Sequence, residues 1–262
     1  MPSTNVAIAP SSQLKRAANR VMFAIATLMS SRTTRAVDQG RWEAPKHAWA
    51  LSNLILRHAE ATAELARLDA ALLPSALATS RASLEGAIRM SWLLEPDNEW
   101  QREARYVTMV REGVKYHSAL GSSSVGGASE HATLASIISG HVDKVAAQLP
   151  EATVVPKAVP KIRVIAEALR DGVYENYRTA SQYTHGTDAA LWLYRQDMGT
   201  EARFGEFITQ RMWALPLHTV WDASTLAYTL LIGVSEMAPT LDLEPYHEQV
   251  MLALNDLAQA GE

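Results

Sequence analysis

The sequence contains no cysteine, which excludes disulfides, thiolate metal sites and cysteine nucleophiles. The cellular compartment stays open on that count, because a reduced cytosol and a cysteine-free secreted protein both permit it. Basic charge is not in excess either: 24 Lys and Arg against 28 Asp and Glu leave a formal net charge of −4. Nucleic-acid binding normally rests on a basic surface, and the chain as a whole supplies no such pull. Long apolar runs are also absent. The segment VMFAIATLMS (Val21 to Ser30), preceded by Lys15, Arg16 and Arg20, falls short of the roughly 20 apolar residues that span a bilayer. SRTTR follows it where a signal peptide would carry a small-residue cleavage site. It reads as a buried first helix, so a cytoplasmic protein with no membrane partner is expected.

Several chemistries are missing by pattern. Neither G-x-G-x-x-G nor a Walker loop occurs, and no G-x-S-x-G elbow is present. A carboxylate-bridged di-metal bundle needs inward Glu-x-x-His motifs on paired helices, and Glu244 to His247 is interrupted by Pro245. No metal and no cofactor are expected.

What the sequence does have is length, a large apolar share and helical periodicity. With 262 residues, 48% of them hydrophobic, the chain can bury a sizeable core unaided. No stretch alternates polar and apolar residues with β-branched enrichment. The period of 3.6 predicts helices over Ser12–Arg35, Pro45–Leu73, Pro74–Leu94, Asn98–Leu120, Ser129–Leu149, Pro160–Arg170, Val173–His185, Thr187–Gln196, Phe204–Met237 and Pro245–Ala260. Pro74 suits a first helical turn, Asp97 suits a cap, and Pro216 is expected to kink or split its helix. GSSSVGGAS (121–129) reads as a flexible connector, and PEATVVPKAVPK (150–161) as a stiffer one. The expectation is an all-α antiparallel helical bundle: a disordered tail over 1–11, then one domain over 12–262 in which the helix at 129–149 is loosely attached or inserted.

Two helices carry polar residues that break the apolar pattern. In Pro74–Leu94, Arg81 and Glu85 fall on the stripe of Leu77, Leu84, Ile88 and Trp92, four residues apart and able to touch. They form either an ion pair at the edge of the buried face, worth a few tenths of a kcal/mol, or an internal pair whose desolvation implies a task. In VYENYRTASQYTHG (Val173 to Gly186), Tyr174, Arg178, Ser181 and His185 share a sector of about 60°. Arg178 and His185 lie roughly 10 Å apart along the axis. Gly186 suits a helix C-cap, which would place His185 beside the break. The same face also reads as a half-buried polar surface supporting the bundle.

RASLEGAIRMSWLLEPD followed by YRTASQYTHG resembles an uncharacterised group of all-helical bacterial proteins allied to the HEPN (higher eukaryote and prokaryote nucleotide-binding) superfamily. These carry an R-x-x-x-E helix, here Arg81 and Glu85, and a Y-x-x-x-S-x-x-x-H helix, here Tyr177, Ser181 and His185. HEPN ribonucleases and toxins carry R-x(4–6)-H, and Arg178, Thr179 and His185 match its six-residue-spacer form. The resemblance runs from Pro74 to about Gln196. It implies metal-free RNA cleavage of a toxin or phage-defence kind. His185 would be the acid or base and Arg178 the phosphate contact, while Ser181 would contact substrate or His185 and Glu85 would orient Arg178 or His185. It further implies a homodimer that pairs two copies of the motif, and an antitoxin or regulatory partner. Two other readings stand beside it. One is an inert helical binding or regulatory protein whose polar cluster is structural. The other is a small-molecule pocket enzyme around His218, four residues from Asp222, with Trp213 and Trp221 on one face; the tryptophans also read as core packing. His47, His58, His117, His131 and His141 show no convergent ligand spacing and are expected at surfaces or helix ends.

Overall fold

The computed structural model describes residues 8–33, 42–122, 127–185, 187–188, 191, 209–234 and 241–259. Of these residues 83% are helical and none is in a strand, so the chain is an all-α helical bundle. The helices are α1 (Ser12–Thr33), α2 (Glu43–Leu68), α3 (Leu73–Leu94), α4 (Glu99–Gly121), α5 (Ala128–Ala146), α6 (Ile162–Leu169), α7 (Val173–Thr184), α8 (Ala214–Val234) and α9 (Glu244–Gln259), with 3-10 turns at Ala70–Leu72 and Gln210–Trp213. Of the helix expected over Thr187–Gln196, only residues 187, 188 and 191 are among the described residues.

Local chemistry sets the helix ends. Asp69 stops α2 in extended geometry and accepts the Ala71 N–H at 2.9 Å, turning the chain through the first 3-10 segment into α3. Pro74 falls in the first turn of α3, where its missing N–H costs nothing. The cap of α4 is Asn98, not Asp97: its Oδ1 accepts from Trp100 N at 2.9 Å and Gln101 N at 3.3 Å. An N-cap must sit one residue before the first helical turn, and Asp97 is one position too early. The α-helix around Pro216 follows directly on the 3-10 turn Gln210–Trp213, and residues 204–208 of the expected helix lie outside the described residues. The α-helix starts at Ala214, so Pro216 occupies a first turn whose amides have no intrahelical acceptor anyway.

Three helices, α2, α3 and α8, run through both halves of the core. One half adds α1 and α9 around Trp213, Leu217, Trp221 and Leu28; the other adds α4, α5 and α6 around Ile88, Met90, Leu93 and Val107. Each such side chain, taken fully out of water, stabilises the fold by about 1.5–3 kcal/mol before ordering costs. α3 is the central element, with 14 buried residues spread around its circumference. Its small-residue face meets α2. Ser83 Oγ donates to the Ile55 carbonyl at 3.1 Å, and a Cβ on Gly86 would lie 2.8 Å from Ile55 Cγ1. That close approach leaves only one flank of α3, the one bearing Arg81, Glu85 and Arg89, partly open to solvent.

The helix expected to be loosely attached, α5, folds back along α4 and buries Ala135, Val142 and Val145. The two helices approach closely at this end: a Cβ on Gly121 would lie 2.9 Å from the Ala132 backbone nitrogen. This brings His117 and His131 together, Nδ1 to Nδ1 at 3.0 Å, so that one ring N–H donates to the other ring's lone pair. The two are 14 positions apart with the connector between them, and no periodicity announces the pair. The proline-rich connector is pinned to α4, with Thr108 Oγ1 donating to Pro156 O at 2.8 Å and Val159 N donating to Glu112 Oε1 at 3.0 Å. Of the tail expected over 1–11, residues 8–11 are tied down: Ile8 N donates to Asp69 Oδ1 at 2.7 Å, and Ser11 N donates to Gln210 Oε1. The remainder lies outside the described residues.

Candidate functional site

The two polar helices meet. α7 lies against the open flank of α3, burying Val173 and Ala180. That rotation turns Tyr177 and Ser181, one turn apart, toward Arg81. The Arg81 guanidinium spans both: Nε donates to Ser181 Oγ at 2.8 Å and Nη2 donates to Tyr177 Oη at 2.8 Å. Tyr177 passes its own proton on, donating to Glu85 Oε2 at 3.3 Å. Glu85 Oε2 also lies 3.2 Å from Arg81 Nη2, and Glu85 Oε1 accepts from Arg89 Nε and Nη2 at 3.2 and 3.1 Å. Ser181 completes the set by donating to the Tyr177 carbonyl at 2.8 Å. Donors and acceptors match throughout, so R-x-x-x-E on one helix and Y-x-x-x-S on the other form a single clasp between α3 and α7.

The Arg81 and Glu85 side chains are 20% and 25% exposed, which places the pair between the two alternatives the sequence left open. Enough water is excluded to strengthen the hydrogen bonds, yet neither charge is fully desolvated.

Arg178 and His185 stand outside this clasp. Both are exposed on α7, and Glu85 takes Arg81, Arg89 and Tyr177 as partners rather than either of them. His185 is the C-cap residue, its N–H donating to the Ser181 carbonyl at 3.1 Å. The chain then folds back, and Thr187 donates to the Gln182 carbonyl through both N and Oγ1, at 3.3 and 2.9 Å, which occupies one of the orphan acceptors of the helix end. The cap expected at Gly186 lies outside the described residues. Tyr174 is turned toward α6: its ring is 6.4 Å from the Tyr177 ring, and the Arg163 guanidinium sits 5.6 Å from its centroid.

Around His218 the arrangement is looser. Asp222 Oδ2 is 3.5 Å from His218 Nδ1, and Arg170 donates to the same carboxylate oxygen. A cavity of 230 Å³ is lined half by apolar residues (Leu84, Leu169, Val173 and Leu226) and half by polar ones that include Asp222 and Arg170, and His218 stands outside its lining. Trp213 and Trp221 are core residues. Their indole N–H groups donate to the Ala70 carbonyl at 3.0 Å and to His247 Nδ1 at 3.1 Å.

One buried charge was not legible from spacing. Glu103, on α4 and 4% exposed, accepts the Ala44 N–H at 2.6 Å and so caps α2 from a neighbouring helix. Burial pushes its carboxyl above the ordinary value of 4.5, opposed by the backbone amides it accepts from. Tyr106, one turn on, is pushed up to about 12 by burial and by Glu43 and Glu103; it packs edge-to-face on His47, whose imidazole burial holds below 6.5. A carboxylate raised by folding favours the native state most when protonated, so its contribution is lost as pH rises through the folded value. Glu103→Gln should therefore abolish a fall in stability that wild type shows as pH rises from about 4.5, while still accepting from Ala44. Glu103→Ala should cost about 1–3 kcal/mol by stranding that amide. Urea midpoints measured from pH 4 to 8 check both; a Gln variant that keeps the wild-type slope contradicts the assignment.

Among the described residues no three His, Asp or Glu side chains converge on a metal position, and no helix is long and apolar enough to cross a membrane. Comparison with family models, with curated proteins and with solved structures finds no match to this chain.

Proposed function

We propose that this protein is a HEPN-like, metal-independent endoribonuclease of toxin or phage-defence type, acting through Arg178 and His185. The observation that carries this reading is the division of labour on α7. Tyr177 and Ser181 fasten the helix to α3 through Arg81, while Arg178 and His185 on the same helix stay exposed and outside the clasp. A helix held from below presents its outer residues in fixed positions, as an acid–base site requires. His185 takes the ribose 2′-hydroxyl proton, the 2′-oxygen attacks phosphorus, and the 5′-oxygen leaves with a proton from an acid. The planar fork of Arg178 stabilises the charge on the phosphorane. One histidine per chain serves one proton transfer at a time, so the site is completed by His185 of a second copy, giving a homodimer in the cytoplasm. An antitoxin or regulatory protein would act by covering Arg178 and His185.

RNA affinity tests the phosphate contact. Binding of single-stranded RNA should fall steeply with salt, and Arg178→Ala should reduce the slope of log K against log salt by about one. A slope unchanged by the substitution would remove Arg178 from the interface.

A second reading has its own support. The clasp satisfies its own hydrogen-bonding groups, and the net charge is −4, which suits an inert helical binding or regulatory protein. In that case RNA neither binds nor is cut, and the clasp is purely structural.

A further inference from the structure

We propose that His117 and His131 form a two-histidine site for a late divalent transition metal, copper(II) or nickel(II), where α4 and α5 meet. The two residues belong to different helices, and the fold brings their Nδ1 atoms to 3.0 Å. Both are half-buried, and their ring planes lie 25° apart with centroids at 5.3 Å. Two contacts steady the pair. The Tyr116 ring packs edge-to-face on His117 at 5.5 Å, and the close approach of Gly121 to Ala132 fixes the two helices beside it.

Nitrogens held this close can share a cation as readily as a proton. A neutral imidazole has one N–H and one lone pair, so in the metal-free pair one ring donates from Nδ1 to the other, a bond worth about 1 kcal/mol. Among the described residues neither Nε2 has a hydrogen-bond partner. Moving the shared proton to Nε2 through solvent therefore frees both Nδ1 lone pairs without changing the charge of the pair. A metal about 2.0–2.1 Å from each nitrogen would subtend an angle of about 94° across the 3.0 Å gap. That is close to the cis angle of square-planar or tetragonal coordination and well below the tetrahedral ~109° that zinc adopts, so copper(II) or nickel(II) is favoured. The metal lies off the line joining the nitrogens, and each half-exposed ring must tilt to aim its lone pair. No third His, Asp or Glu among the described residues converges there, so water fills the remaining positions. Glu130, next to His131 in the first turn of α5, adds a negative charge to the same end. Magnesium and calcium are disfavoured because they take oxygen ligands.

Isothermal titration of the untagged full chain with nickel chloride tests the site, beside magnesium chloride. Saturable 1:1 binding of nickel alone is expected. It should be weaker by about tenfold or more in His117→Ala and in His131→Ala, since even losing a group behind a metal ligand costs that much, and unchanged in His58→Ala. Electron paramagnetic resonance of the 1:1 copper(II) complex should show nitrogen coupling from two imidazoles in wild type and from one in either variant. Should an alanine variant fail to fold, His117→Gln or His131→Gln keeps a hydrogen-bonding side chain and removes the imidazole. No nickel binding up to about 1 mM, equal binding of magnesium, or an affinity that survives the loss of either histidine would each overturn the proposal. None of these readouts involves RNA, so the outcome is independent of the site on α7.

Discussion

Arg81→Ala should destabilise the protein by about 2–3 kcal/mol and loosen α7 selectively. The range follows from the geometry: removing one partner of a fully buried pair costs about 3–5 kcal/mol and of an exposed pair under 1, and Arg81 is 20% exposed. Its loss strands Glu85 with only Arg89 and Tyr177, and leaves Ser181 without the guanidinium donor. Arg81→Lys should recover less than half, because one ammonium cannot span Ser181 on one side and Tyr177 with Glu85 on the other. Glu85→Ala should cost less than Arg81→Ala, since Arg81 keeps Tyr177 and Ser181. Urea midpoints give the magnitudes, and amide exchange over Val173–Thr184 reports where the loss falls. A shift below 1 kcal/mol for Arg81→Ala, with α7 protected as before, would mean that the clasp holds nothing.

The largest expected effect is on rate. His185→Ala should lower RNA cleavage by about 10²–10⁴-fold, the usual worth of a positioned acid or base, and Arg178→Ala should lower it comparably. Both residues are exposed, so stability should move by under about 0.5 kcal/mol in either variant. Arg81→Ala links the two predictions. It touches neither reacting group, so it should reduce cleavage only as far as it frees α7, and Arg81→Lys should restore activity in proportion to restored stability. Full activity in His185→Ala would exclude His185 as acid or base whatever became of the fold.

Most of the fold was legible because its determinants are local. Periodicity placed α3 and α7 to within a residue, and Pro74 marked a first turn as expected. Where the reading failed, the deciding fact was a single position or a distant contact. Asn98 rather than Asp97 caps α4 because capping depends on an offset of one residue. The candidate site was legible in part. Spacing singled out Arg81, Glu85 and Ser181, Tyr177 entered only through the resemblance, and the four do meet. That Arg81 reaches across to α7 instead of closing only on Glu85 was not legible, because the rotation of α7 is set by Val173 and Ala180 packing on other helices. Glu103 was missed for the same reason: its partner Ala44 lies 59 residues away, and nothing in the α4 sequence marks an inward carboxylate.

The most direct test is a time course of cleavage of labelled single-stranded RNA by the purified wild-type protein in excess chelator, beside His185→Ala shown by circular dichroism to be folded. The expected result is cutting by wild type that chelator does not slow, leaving 2′,3′-cyclic phosphate ends, and loss of that activity in the variant. An uncut substrate with well-folded wild type, or cutting that persists in His185→Ala, would contradict it.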